Sequence, residues 1–286
     1  MSATRQLLSE ATKRLRLIGA ASPDVDARQL LAHALGCTTA RLPLITEVAP
    51  AQEAQFKTLV QRRAAGTPVQ HLTRSVGFRY NTLRVGPGVF VPRPETELLV
   101  EPVLGFLRHN CDAVPLVVEL CAGSGALSLA VATEARDVSI IAVEKSADAF
   151  AYLSHNVAGH PIQLVLADIA EALPELSGKA DVVMANPPYL PLTEAAQLPA
   201  EVLAGDPAEA LFGGEDGLDA VRVVAQTSAR LLRPGGLVVC EHHEDHGAAV
   251  REIFQASGFE EAATHRDLTG RDRFVTALAP HGRIKP

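Results

Sequence analysis

The chain has 286 residues, 47% of them hydrophobic and 21% charged: enough apolar side chain for packed cores, and more length than one ordinary domain needs. This composition excludes low-complexity disorder and collagen-like repeats, and no apolar run approaches the roughly 18 residues of a membrane span. The formal charge of −7 hides an asymmetry, because residues 1–75 carry ten Lys/Arg against five Asp/Glu; the acidic remainder argues against binding long nucleic acid by bulk electrostatics.

Met1 to Gln6 lead directly into an amphipathic pattern with no signal-peptide core. Cys37, Cys111, Cys121 and Cys240 form no CxxC pair, so we expect reduced thiols in a cytoplasmic protein. Leu7, Leu8, Ala11, Leu15 and Ile18 recur at helical spacing before Gly19. Ser22-Pro23 reads as an N-cap and first-turn pair ahead of the stripe Ala27, Leu30, Leu31, Ala34, Leu35, which ends at Gly36. A third stripe, Phe56, Leu59 and Val60, runs to Gly66. Residues 1–75 therefore predict a small helical bundle. Its basic surface could meet an acidic partner or be an ordinary solvated helix face.

Residues 76–92 alternate as a short hairpin, with Asn81 and Gly86-Pro87-Gly88 as turn residues, linking the bundle to a second domain over 93–286. From there the pattern becomes strand–helix–strand. Strands are expected at 116–120, 139–144, 162–166, 181–185, 237–241 and 273–278, with helices over 126–135 and 147–158. This alternation implies a doubly wound, mostly parallel α/β sheet. The connection 190–217 is too long for a plain turn and reads as a functional loop.

Three acids end strands on one sheet edge. Glu119 precedes the turn Cys121-Ala122-Gly123-Ser124-Gly125, whose glycines let a backbone approach a ligand. A carboxylate there would repel a pyrophosphate and suit a cationic sulfonium ligand carrying an ammonium group. Glu144 lies 19 residues after Gly125, about where an acid binds ribose hydroxyls; the rival reading is a solvated helix-start carboxylate. Asp168 and Ile169 could bracket a purine, with helix capping the rival for Asp168.

The sharpest motif is Asn186-Pro187-Pro188-Tyr189. Two prolines end strand pairing and stiffen the backbone, so the Asn186 side-chain oxygen and the Pro187 carbonyl become fixed acceptors for a planar –NH2 group, with the Tyr189 ring on its face.

Together these features resemble a class I S-adenosylmethionine-dependent methyltransferase acting on an amide or amine nitrogen. Val91-Pro92-Arg93-Pro94-Glu95-Thr96-Glu97-Leu98-Leu99-Val100, Asp26 to His33, Gly213 to Asp219 and Arg271 to Phe274 are similar to segments of the HemK/PrmC family, in order along nearly the whole chain. The resemblance implies a seven-stranded sheet with an N-terminal helical substrate-recognition domain and a hairpin linker. It also implies methylation of the glutamine side-chain amide of peptide chain release factors, in their Gly-Gly-Gln motif. Glu119, Cys121 to Gly125, Glu144, Asp168, Ile169 and Asn186 would then contact the cofactor, and Asn186, Pro187, Pro188 and Tyr189 the glutamine amide.

Some positions depart from the family. Cys121 stands where many relatives have Gly, from which we expect an ordinary negative φ; Pro102 is expected to interrupt a helix. Glu241-His242-His243-Glu244-Asp245-His246 lacks the H-E-x-x-H count of a zinc site and reads as surface histidines, with no metal expected. Two rival functions are an amino-methyltransferase acting on adenine or cytosine in nucleic acid, and a non-catalytic module that binds release factors.

Overall fold

The computed structural model describes residues 2–110, 113–198, 202 and 205–281; Cys111 and part of the 190–217 connection lie outside them. The chain divides into two compact units, Met1–Ser75 with Pro199–Gly205, and Val76–Leu198 with Asp206–Pro286.

The first unit is built on helices α1 (Ala3–Leu17), α2 (Pro23–Leu35), α3 (Pro50–Ala64) and α4 (Val69–Thr73). The three apolar stripes meet in one core: Leu7, Ala11 and Leu15 against Ala27, Leu30 and Leu31, closed by Phe56, Leu59 and Val60. Ile18 falls outside α1 and is exposed, so the first stripe ends at Leu15. Ser22 makes no side-chain capping bond; Pro23 at the first turn and Gly36 at φ 63 set the ends of α2. Asp26, the acid that opens the α2 signature, is buried and accepts from Arg63 Nε of α3 at 2.8 Å.

At the boundary a hairpin, β1 (Ser75–Phe78) and β2 (Asn81–Arg84), opens the second unit from Val76 onward. Its turn is Arg79-Tyr80; Asn81 is the first residue of a strand instead of a turn residue. Arg79 holds φ 50 there because it is pinned: its N–H donates to Glu97 Oε1 at 3.0 Å and its guanidinium grips both Glu134 oxygens.

Seven strands follow in the order β5-β4-β3-β6-β7-β9-β8. They are β3 (Leu116–Leu120), β4 (Ser139–Glu144), β5 (Ile162–Leu166), β6 (Ala180–Ala185), β7 (Leu232–Glu241), β8 (Glu260–Arg266) and β9 (Asp272–Leu278). β3 to β7 pair in parallel, and β9 runs antiparallel between β7 and β8. The unbroken apolar runs follow from burial on both faces. Val118, Leu120, Val183 and Ala185 enter one core, while Val117, Val182 and Met184 enter the other. Among the described residues, no helix is long and apolar enough to cross a membrane.

Three further expectations change. β7 starts at Leu232, earlier than expected, and the stretch bearing Pro234 and Gly235 shifts register against β6. Pro102 does not break a helix. A 3-10 turn, Pro94–Leu99, passes into the helix Val100–Asn110, and Pro102 sits in the first turn, where its missing N–H costs nothing. The histidines are not all at the surface: β7 carries His242 inside just past its end, fully buried, with Nδ1 against the His243 carbonyl. Burial lowers the His242 pKa, so the ring is held neutral.

Candidate active site

The strand order reverses between β3 and β6: β4 and β5 lie to one side, β7 to the other. In open α/β sheets ligands bind outside the carboxyl ends of the strands at this switch point. Leu120 of β3 pairs with Ala185 of β6, so Cys121 and Asn186 leave the sheet side by side. The glycine turn and the Asn-Pro-Pro-Tyr segment thus share one crevice edge.

On the β3 side the turn is tied to the sheet by its backbone. Ala122 N–H donates to the Val143 carbonyl at 3.0 Å, which hooks the turn over the end of β4. Closing it requires Cys121 at φ 58, contrary to the ordinary φ expected; the strain of about 1 kcal/mol is borne because strands on both sides fix its neighbours. Gly125, at φ 81, has a second reason to lack a side chain: a Cβ would lie 2.6 Å from Leu153 Cδ1. At Gly123 a Cβ would meet nothing within 4 Å, so the turn opens onto free space. The Ser124 side chain is buried, and its carbonyl accepts from Asn156 Nδ2 at 2.9 Å.

Glu144, 8% exposed, is no solvated helix start. It accepts from Gly123 N–H at 2.7 Å and Ser146 N–H at 2.8 Å, linking β4 to the turn. Glu119, 2% exposed, accepts from Ser128 N–H at 2.9 Å, and burial pushes its carboxyl up to about 8. Its position behind the turn suits holding the following helix more than touching a ligand. Asp168 does cap the turn after β5, accepting from Ala170 N–H at 3.0 Å. Ile169 is buried in the core, with its carbonyl bonded by Thr227.

On the β6 side, Asn186 Nδ2 donates to Thr96 Oγ1 at 3.3 Å, which turns the amide oxygen away from Thr96. Pro187 is buried, and the Tyr189 hydroxyl donates to Glu241 Oε1 at 2.9 Å. Burial and the Glu241 carboxyl beside it push the Tyr189 phenol well above its ordinary pKa, so it remains a neutral donor. Thr96 and Glu241 carried no role in the sequence reading. The missed signal for Glu241 is the one that found Glu119, Glu144 and Asp168: an acid ending a strand on the same sheet edge.

Thr96 is held from upstream. Val91 N–H donates to the buried Asp206 Oδ1 at 3.0 Å, Arg93 pairs with Asp206 Oδ2, and Thr96 N–H donates to the Arg93 carbonyl at 3.2 Å. Glycines of 213–217 lie against the Asn-Pro-Pro-Tyr backbone: a Cβ on Gly213 would come 2.5 Å from the Pro188 oxygen, and one on Gly217 2.5 Å from the Tyr189 oxygen. Among the described residues, no group of three or more His, Cys, Asp or Glu is placed to hold a metal ion.

Two family profiles match the chain: the PrmC N-terminal domain over residues 6–73, and the methyltransferase small domain over 95–215. The chain is 43% identical over 271 residues to a release factor glutamine methyltransferase of Streptomyces coelicolor, covering 94% of this chain and 96% of the relative. It is 43% identical over 280 residues to that of Mycolicibacterium smegmatis, covering 97% and 98%. It is 39% identical over 281 residues to that of Mycobacterium tuberculosis, covering 96% and 91%. With identity at this level from end to end, the chain belongs to the release factor glutamine methyltransferase family.

Proposed function

We propose that this protein transfers a methyl group from S-adenosylmethionine to the side-chain amide nitrogen of the glutamine in the Gly-Gly-Gln motif of peptide chain release factors. The observation that carries this reading is the polarity of Asn186: its nitrogen is spent on Thr96, so an oxygen is offered beside the glycine turn. An acceptor there suits a substrate –NH2 and would repel a carbonyl.

The residues at the β3 and β4 ends fit the cofactor. The turn is open over Gly123, and Glu144 at the end of β4 is fixed in place, with lone pairs beyond its two backbone bonds to receive ribose hydroxyls. Cys121, Ala122, Gly123, Ser124 and Gly125 would line the methionine portion, with Asp168 and Ile169 towards the purine and Glu119 supporting from behind. When bound, S-adenosylmethionine supplies an electrophilic methyl on a positively charged sulfur.

An amide nitrogen is a poor nucleophile because its lone pair is shared with the carbonyl; the roughly 18–20 kcal/mol barrier to peptide rotation measures that sharing. Asn186 and the Pro187 carbonyl accept the two amide hydrogens, and Tyr189 and Pro188 confine the group. The acceptors hold the nitrogen in the orientation for attack, and positioning of this kind supplies on the order of 7–11 kcal/mol in favourable cases. They also stabilise positive charge as it grows on nitrogen, before the proton is lost. No separate base is required, since the positively charged N-methylated amide formed by the transfer is strongly acidic and gives its proton to water. The basic helical unit is assigned to gripping the release factor, a substrate it would meet in the cytoplasm.

Incubation with labelled S-adenosylmethionine and, separately, release factor, RNA and DNA tests the reading. Label is expected in release factor alone. Label in nucleic acid would overturn the assignment.

A further inference from the structure

We propose that Thr96 and Glu241 act together as positioning residues of the amide clamp, fixing which end of the Asn186 carboxamide faces the substrate and where the Tyr189 ring stands. The proposal rests on the methyl-transfer reading above and deepens it.

An asparagine carboxamide has nearly the same shape either way round, but one end accepts and the other donates. Only the oxygen can receive a substrate –NH2; reversed, Asn186 would set donor against donor. Thr96 decides between the two by receiving the Asn186 nitrogen at 3.3 Å. A hydroxyl can itself turn, so something must hold Thr96 as the acceptor. Its hydroxyl lies close enough to the Glu241 carboxyl to ease the buried charge, without a hydrogen bond of regular geometry to it. An ionised carboxylate only accepts, so a Thr96 proton turned toward it leaves the Thr96 oxygen to receive Asn186, while Tyr189 donates to the same carboxyl at 2.9 Å.

Thr96 is 3% exposed and Glu241 0%, so both lie behind the clamp and act through Asn186 and Tyr189. Both sit on rigid supports: Thr96 on the turn held by Arg93, Glu241 at the end of β7 opposite Phe274 of β9. Glu241 Oε2 is buried without a partner in hydrogen-bonding geometry. An orphaned carboxylate oxygen is expensive to bury, and nothing in the packing of β7 alone calls for it. The titratable and charged groups facing Glu241 are Tyr189 of the clamp, Arg273 of β9 and Glu95 beside Thr96; burial dominates over them and raises the carboxyl to about 7.

The test uses the full chain with Thr96→Val, Thr96→Ser and Glu241→Gln. Thermal melting and S-adenosylmethionine affinity serve as controls for folding. T96V is expected to lower kcat for release factor on the order of ten- to hundredfold, the equivalent of a lost buried hydrogen bond, with KM little changed and T96S restoring most of the loss. Wild-type kcat should fall as pH drops through about 7, where the carboxylate is protonated and can donate to Thr96; E241Q should lack that limb.

An independent readout needs no substrate: the side-chain amide signals of 15N-asparagine-labelled protein, with Asn186 identified by their loss in N186A. The Asn186 pair should move in T96V and stay in place in T96S. Wild-type kcat retained in T96V, or unmoved Asn186 signals, would overturn the brace. Wild-type protein that methylates nothing while T96V still shifts Asn186 would sink the functional reading and leave the brace standing. Should T96V not fold, T96S and E241Q decide by the same signals and pH profile.

Discussion

On the β3 and β4 side of the crevice, the buried carboxylates Glu119 and Glu144 are satisfied by backbone N–H groups of Ser128, Gly123 and Ser146. On the β6 and β7 side, the buried carboxyl of Glu241 is met by the side-chain hydroxyl of Tyr189, with that of Thr96 nearby. Backbone donors come with the strand–turn–helix geometry and tolerate changes in neighbouring side chains. Hydroxyl donors exist only in particular side chains and orient by rotation. In the proposed reading, the cofactor half of the site is therefore built by the fold, and the amide half by a few named residues. Substitutions should separate the two halves.

The largest separation is expected from Asn186→Ala. Losing one fixed acceptor of the developing charge should cost about 10²–10³ in kcat, with S-adenosylmethionine affinity unchanged by calorimetry. Retained turnover would mean the clamp is elsewhere. On the other half, Glu144→Ala leaves Gly123 and Ser146 N–H without their acceptor and should weaken cofactor binding by about 1.5–3 kcal/mol, with kcat at saturating cofactor less affected. Equal effects of both variants on both quantities would erase the distinction.

Gly213→Ala sharpens the contrast differently, because the new Cβ would press on the Pro188 oxygen at 2.5 Å and the Gly217 oxygen at 2.7 Å. Backbone cannot give way as a flexible side chain can, so a loss of about 1–3 kcal/mol in denaturant stability is expected. The accompanying fall in activity should leave cofactor affinity intact.

The smallest effect on turnover is expected at Glu119, whose signature is in stability. Its folded carboxyl is raised from 4.5 to about 8, so the folded state binds more protons than the unfolded chain between those values. That contribution is fully present below 4.5 and is lost as pH rises through 8. Glu119→Gln should flatten the decline of Tm with pH over this window. An unchanged slope would place the Glu119 charge outside the balance.

Much of this arrangement is legible in the sequence because its causes are local. The stripes at Leu7, Leu30 and Phe56 follow helical period, and the buried runs at Val117 and Val182 follow two-sided burial. What is not legible depends on partners distant in sequence. β8 alternates weakly and is polar, since it is an edge strand paired on one side by β9. Cys121 reads as a residue of negative φ until the bond from Ala122 to Val143 closes the turn. His242 looks like one of a surface group, and only the continuation of β7 beside β9 carries it inside. The partnership of Thr96 with Asn186 spans 90 residues, so no spacing rule announces it. The same holds for Glu241 and Tyr189.

The central claim is that two rigid acceptors present a glutamine side-chain amide to the transferable methyl. Tandem mass spectrometry of a release-factor Gly-Gly-Gln peptide, after incubation with this protein and S-adenosylmethionine, tests it most directly. The account predicts one added methyl on the glutamine side-chain nitrogen, absent when Asn186→Ala replaces the wild type. A glutamine left unmodified by active, cofactor-binding protein, or a methyl on any other residue, would contradict it.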